Sequence, residues 1–233
     1  MNQDQSALST PNHLGFILDG NRRWAKKHGL PTYEGHLAGY HALKDVILKA
    51  ADCGVRFVSI YAFSTENWKR PSEEVDGLMS LALRIFKTDI AELIKNEINV
   101  RILGAREGIP PKLLKAMEDV EEKSKHFTRT TVAVCFNYGG QREIIDAANA
   151  CIADGLTEIT EDSLRERLYE PQIPDIDLVV RTSGEERISN FMLWRVAYSE
   201  FYFIDKLWPD MRPSDVDDII KEYSHRNRRF GGS

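Results

Sequence analysis

Apolar positions along the chain fall into short runs that alternate with longer amphipathic stretches. Leu14–Leu18 is an apolar run closed by Asp19-Gly20, and it predicts a strand. Phe57–Phe63, Val100–Leu103, Thr131–Phe136 and Leu178–Val180 predict four more. From Leu43 onward the apolar residues take helical spacing (Leu43, Val46, Ile47, Ala50, Ala51), and Cys53-Gly54 supplies the stop. Pro71 and Ser72 followed by Glu73 and Glu74 make a helix start, with acids where the helix dipole favours them. That helix is expected to run to about Asn96, burying Val75, Leu78, Met79, Ala82, Ile85 and Phe86. Pro111–Lys125, Glu143–Ala153, Ser163–Leu168 and Pro213–Ser224 predict further helices.

Strands separated by helices of this length imply parallel crossovers, hence an α/β fold with a mainly parallel central sheet flanked by helices. No repeat, linker or low-complexity segment interrupts the pattern, so residues 13–233 read as one domain behind a polar, flexible tail of residues 1–12. At 42% apolar and 29% charged, the 233 residues can bury a core and keep a wet surface. The balance of 36 acidic against 31 basic residues argues against a nucleic-acid binder. Cys53, Cys135 and Cys151 lie far apart without metal-ligand spacing and read as free thiols of a reducing compartment. Neither a leader-like apolar run nor a span of about 20 apolar residues is present, which predicts a soluble, cytoplasmic protein.

Parallel sheets bind ligands beyond the carboxyl ends of their strands, and the chemistry of this chain gathers there. The first strand ends in Asp19-Gly20-Asn21-Arg22-Arg23-Trp24 and the second in Ser64-Thr65-Glu66-Asn67-Trp68-Lys69-Arg70. The strand over 131–136 leads into Asn137-Tyr138-Gly139-Gly140, and the one over 178–180 into Arg181-Thr182-Ser183-Gly184-Glu185. A carboxylate at a strand end, then glycine, then basic residues opening a helix suits a metal-bound phosphate, with Asp19 as a Mg²⁺ ligand. Asp19 as a plain helix cap is an equal reading of the same spacing. Arg181, Arg187 and Ser189 offer planar donors and a hydroxyl to a diphosphate, although surface pairing with Glu185 and Glu186 would also account for either arginine alone. The basic stretch His225, Arg226, Arg228 and Arg229 before Phe230-Gly231-Gly232 reads as an arm folding over a site. Phosphate-loop, dinucleotide, nucleophile-elbow and zinc-protease signatures are absent.

Read together, these segments resemble the cis-prenyltransferases, the family typified by undecaprenyl diphosphate synthase. The likeness runs through His13–Ala25, Gly35-His36-x-x-Gly39, Tyr61–Pro71, Asn137–Gly140, Asp177–Glu185, Arg187–Trp194, Glu200, Trp208-Pro209 and Arg228–Gly232, in order over nearly the whole chain. The resemblance implies an enzyme with an apolar product tunnel that condenses isopentenyl diphosphate with an allylic diphosphate, farnesyl diphosphate being the expected primer. The product would be a long-chain polyprenyl diphosphate such as undecaprenyl diphosphate. It implies Mg²⁺ on Asp19 and Glu200, and Gly20, Asn21, Arg22, Arg23 and His36 around the allylic diphosphate with Trp24 beside its chain. It further implies Ser64, Thr65, Glu66, Trp68 and Arg70 lining the substrate site, and Asn67 near the proton lost at each condensation. Arg181, Arg187, Ile188 and Ser189 would hold isopentenyl diphosphate. A homodimer and transient membrane contact during product release belong to the same implication.

Two positions depart from the family pattern. Thr32 stands where bacterial members carry an arginine, a loss that Arg22, Lys26 or Lys27 would have to offset, and Glu186 stands where some relatives have histidine. Ala62, small beside the second cluster, leaves room for a long product. A short-chain (Z)-prenyl diphosphate synthase is the neighbouring alternative. A non-catalytic partner subunit is a further one, against which the retention of Asp19, Arg23, Arg181 and Arg187 weighs.

Overall fold

The computed structural model describes residues 9–226 of the chain; most of the expected tail and the Arg228–Gly232 arm lie outside them. Within them six strands form one sheet: β1 (His13–Ile17), β2 (Phe57–Ser64), β3 (Ile98–Leu103), β4 (Thr130–Tyr138), β5 (Leu178–Thr182) and β6 (Glu200–Ile204). Every neighbouring pair is parallel, in the order β3-β4-β2-β1-β5-β6. The chain steps outward from β1 to β2 and on to β3 at the edge, comes back to insert β4 between β2 and β3, then returns to lay β5 on the other side of β1. The winding therefore reverses between β1 and β5, where open parallel sheets leave a crevice at their carboxyl ends. Asn12, in the expected tail, is tied to β2, its carbonyl accepting from the N–H groups of Arg56 (3.1 Å) and Phe57 (2.9 Å).

Among the described residues eight α-helices cover the faces: α1 (Asn21–Lys27), α2 (Thr32–Asp52), α3 (Ser72–Arg84), α4 (Ala91–Lys95), α5 (Pro111–Ser124), α6 (Gly140–Ala153), α7 (Glu161–Arg165) and α8 (Pro213–His225). Leu14, Phe16, Val58, Leu178 and Val180 point to the face covered by α2, α3, α5 and α8. Ile17, Ala133, Cys135 and Val179 alternate to the other, under Phe191 and Met192, with α6 and α7 adding the small cluster of Ala147 and Leu164. Among the described residues no helix is long and apolar enough to cross a membrane.

Three elements differ from the sequence expectation, each for a physical reason. Helix α2 begins at Thr32, well before Leu43. Its first turns hold Gly35 and Gly39, poor helix formers, because α1 packs too close for a side chain. A Cβ on Gly35 would lie 2.2 Å from the Asn21 carbonyl, and one on Gly39 would lie 2.3 Å from Asn21 Oδ1. The helix expected from Ser72 to about Asn96 changes register through a π-helical turn at Ile85–Asp89, marked by the Ile90 N–H donating to the Ile85 carbonyl (2.9 Å). Strand β6 was not anticipated, because no regular helix separates it from β5 and the alternation that signals a crossover is missing.

Candidate active site

Asp19 sits just past the end of β1, at the winding reversal. Its carbonyl accepts from Trp208 N–H (3.0 Å) and the Thr182 hydroxyl (2.6 Å), and its own N–H donates to Thr182 Oγ1 (3.1 Å). Backbone held at both ends leaves the carboxylate little freedom. Its Oδ2 accepts from Arg181 Nη2 at 2.7 Å, while Oδ1 lies 3.5 Å from Arg23 Nη2. Burial alone would raise the Asp19 pKa. The bond and charge of Arg181, the charge of Arg23 and the Gly20 N–H outweigh it and hold the carboxyl below its ordinary value. Gly20 follows at φ +112°, where a Cβ would also meet Leu207 at 2.9 Å, so glycine is required.

Two polar depressions flank Asp19. One is lined by Gly20, Asn21, Arg22, Arg23, Lys26 and His36, with Thr32 and Arg70 at its edge. The other is lined by Ser64, Glu66, Asn67, Arg181, Ser189 and Asn190, and both share Leu18, Asp19 and Arg70. Beneath the first lies a third cavity, almost wholly apolar, that Leu18, Asn21 and His36 also border. Leu43, Ile47, Ala62, Leu78, Phe86 and Ile90 are among its walls, so helix faces from α2 and from the α3–α4 region look onto it and not only into core.

Glu74, which lines neither depression, ties three lining residues of the first together. Its Oε1 accepts from Arg70 Nη1 (3.0 Å) and lies 3.7 Å from His36 Nε2 and 3.9 Å from Arg22 Nε. Burial first, then the Arg70 charge, depress the His36 pKa against the pull of Glu74, keeping the ring neutral at pH 7. His36 Nε2 and Asn21 Oδ1 are buried without a hydrogen-bond partner. Arg23 turns the other way, donating to the Ser183 carbonyl (3.2 Å) and hydroxyl. Trp24 donates to Asp210 (2.8 Å) and stacks on His28, at 4.1 Å. Of the three cations expected to offset Thr32, Arg22 and Lys26 line the same depression and Lys27 does not.

In the second depression Arg181 is 4% exposed and spans the floor, donating to Asp19, to Ser189 Oγ (2.9 Å) and to the Arg187 carbonyl, while its Nε has no partner. Arg187 itself points outward and pairs with Glu185, so its backbone and not its guanidinium joins the floor. Ile188 packs under the loop, and Glu186 is exposed. Asn67 Oδ1 caps the short 3₁₀ turn Thr65–Lys69 by accepting the Ser64 N–H (3.1 Å), fixing Ser64 and Asn67 together. Burial would raise the Glu66 pKa, but backbone and hydroxyl donors and Asn190 Nδ2 (3.3 Å) keep it low. Thr65 abuts Gly139, and Trp68 donates to Asn137 (2.7 Å) and so braces the rim.

The expected pairing of Asp19 with Glu200 is not formed within the chain. Parallel register sets Glu200 beside Leu178 and Phe203 beside Arg181, which is level with Ile17. Glu200 thus lies level with Leu14, about 10 Å along the strands short of Ile17 and further still from Asp19, and there it pairs with Arg226 at 3.2 Å. Among the described residues no group of three or more His, Cys, Asp or Glu gathers as a metal cage. A lone, ionised Asp19 beside two anion-sized depressions still fits Mg²⁺, which takes one or two carboxylates and completes its shell with water and phosphate oxygens. Asn190 and Tyr61 border the second depression, and Glu74 contacts three lining residues of the first, though none of the three stood out in the sequence. Glu74 read as a helix-start acid, Asn190 lay unassigned inside a recognised segment, and Tyr61 read as part of a strand.

Comparison with known proteins gives one consistent result. The family model described as "Putative undecaprenyl diphosphate synthase" matches residues 17–231. The chain is 48% identical to an isoprenyl transferase of Thermotoga maritima over 229 residues, covering 97% of this chain and 98% of that protein. It is 42% identical to the ditrans,polycis-undecaprenyl-diphosphate synthase ((2E,6E)-farnesyl-diphosphate specific) of Micrococcus luteus, covering 99% and 95%. Its fold matches lavandulyl diphosphate synthase from Lavandula x intermedia, solved with dimethylallyl diphosphate, at TM-score 0.91 and 33% identity over 96% of this chain and 99% of that one. A probable undecaprenyl diphosphate synthase from Campylobacter jejuni matches at TM-score 0.83 and 32% identity, over 96% and 100%.

Proposed function

The chain belongs to the undecaprenyl diphosphate synthase family of cis-prenyltransferases, and from that premise we propose that it extends an allylic diphosphate with isopentenyl diphosphate to a long polyprenyl diphosphate. The observation that carries the reading is the arrangement at Asp19: two polar depressions share that carboxylate, and an apolar cavity opens under one of them. Two diphosphates and one greasy tail are what such a reaction must hold at once. The relative from Micrococcus luteus is specific for farnesyl diphosphate, which supports that primer here.

In this reading the first depression takes the allylic diphosphate, with Arg22, Arg23, Lys26 and Arg70 as its cations and its tail in the apolar cavity. The second takes isopentenyl diphosphate on Arg181 and Ser189, with Asn190 beside them. Asp19 would hold Mg²⁺, which when bound offsets charge on the departing diphosphate. As the allylic C–O bond breaks, negative charge grows on the leaving group, and the arginines already in place stabilise it without reorganisation. The apolar cavity keeps water from the allylic cation. Asn67, fixed beside Ser64, lies on the isopentenyl side, where the proton is lost. His36, neutral, donates to or accepts from the allylic diphosphate without adding charge. Arg187 and Glu200 would contribute only through rearrangement or a second chain. We further propose a homodimer, supported by the exposed Ile145 and Ile152 on one face of α6.

The test is incubation with labelled isopentenyl diphosphate, farnesyl diphosphate and Mg²⁺, resolving the products by length. Long polyprenyl product from the wild type, shortened in Ala62→Leu, is the expected result. Unchanged lengths in Ala62→Leu would remove Ala62 from the tunnel wall. No incorporation with farnesyl or shorter primers would favour the non-catalytic subunit.

A further inference from the structure

A separate groove lies on the other side of the apolar cavity's wall, between the π-helical turn with α4 and helix α5. It encloses about 580 Å³. Phe86, Ile90, Ala116 and Val120 form its buried floor, and Lys87, Lys112, Lys115 and Lys123 stand exposed around it. The one acid among its lining residues, Asp119, is already paired with Lys115 at 2.8 Å. A chain of net charge −5 thus carries a local basic rim over a greasy floor. Phe86 and Ile90 belong both to this floor and to the wall of the cavity behind it, so a single layer of side chains separates the two. That layer is where the helix changes register, at Ile85–Asp89.

We propose that this lysine-rimmed groove docks the protein on an anionic lipid bilayer, on the side where Phe86 and Ile90 stand between the groove and the apolar cavity. The inference rests on the polyprenyl product proposed above. A nucleic acid would find the same charge but no use for an apolar floor, whereas a bilayer offers anionic headgroups to the lysines and acyl chains to the groove. Juxtamembrane lysines attract anionic leaflets individually and additively, and their aliphatic stems lie along apolar surface while the ammonium groups stay at the headgroups.

The test is co-sedimentation of the substrate-free full chain with vesicles of phosphatidylcholine, with and without phosphatidylglycerol. Binding is expected only to the anionic vesicles. It should fall about fivefold for each lysine neutralised, so by about a hundredfold in Lys87→Gln/Lys112→Gln/Lys123→Gln, while product formation in detergent stays at the wild-type level. The control, Lys49→Gln/Lys206→Gln/Lys221→Gln, removes equal charge on α2, before α8 and on α8, and should bind as the wild type does. Equal losses in both triple variants, or equal binding to neutral vesicles, would overturn the groove as the docking face. A wild type that makes polyprenyl product yet ignores anionic vesicles overturns the docking alone. A wild type that binds them but makes no product strikes the proposed function instead.

Discussion

Two carboxylate–arginine pairs brace opposite parts of this fold, and they are built differently. Glu143 and Arg195 meet at 2.8 Å with exposures of 0% and 1%. Glu143 also accepts from the Tyr138 hydroxyl and the Tyr169 N–H (3.1 Å), and Arg195 donates to the carbonyls of Ile173 (3.2 Å) and Tyr169 (2.7 Å). The network is closed. Asp19 and Arg181 meet at 2.7 Å, but Asp19 is 30% exposed, Arg23 stands 3.5 Å from its second oxygen, and Arg181 Nε has no partner. Buried polar groups in folded proteins are normally satisfied. A pair left open beside two cavities therefore points to a ligand, whereas a closed one points to structure.

Breaking the closed pair should cost the most stability. Arg195→Met leaves the Glu143 charge buried and should lower unfolding free energy by about 3–5 kcal/mol, measured by urea titration. Adding Glu143→Leu removes the buried charge and should recover part of that loss, the Tyr138 hydroxyl and Tyr169 N–H being left without their acceptor, and the folded fraction should keep its turnover. Breaking the open pair should do the reverse. Arg181→Met is expected to lower product formation about 100–1,000-fold at a smaller cost in urea midpoint.

His13 sharpens the comparison, since it is a closed group that titrates. Its ring lies 2.9 Å from the Pro174 carbonyl and 2.8 Å from Ser59 Oγ, and burial depresses its pKa from 6.5 to about 4. The unfolded chain takes up this proton first, so the stability His13 contributes is complete above about pH 6.5. It falls as pH drops toward 4, by about 3 kcal/mol in all. A His13→Gln variant should show a shallower acid slope in the same titration. The smallest effect belongs to Gly39→Ala. Its Cβ would push on the unpartnered Asn21 Oδ1, costing about 1–3 kcal/mol and raising the KM for the allylic substrate more than it lowers kcat.

How much of this the sequence disclosed follows from what each element needs. Strand ends were legible because Asp19, Ser64, Asn137 and Arg181 close apolar runs, and the parallel sheet follows from their spacing. The first half of α2 was hidden by Gly35 and Gly39, whose presence answers to packing against Asn21 and not to helix propensity. The π-helical turn left no trace in periodicity because it shifts the apolar stripe by a single position. The site was legible as a set of residue types but not as contacts. That Glu74 gathers Arg22, His36 and Arg70, or that Arg187 turns away to Glu185, depends on side-chain directions that chain spacing does not encode. Glu200 shows the same limit, for parallel register alone separates it from Asp19.

Whether Asp19 links two diphosphate sites can be read from a single-turnover experiment. Wild type and Asp19→Asn would each be loaded with farnesyl diphosphate, mixed with labelled isopentenyl diphosphate and Mg²⁺, and quenched over time. The variant is expected to keep its fold and still bind primer, but to form the first condensation product at least about 100-fold more slowly. A variant that condenses at the wild-type rate would contradict that link, and would leave Asp19 only a structural partner of Arg181, since Gly20 and not Asp19 is the N-cap of α1.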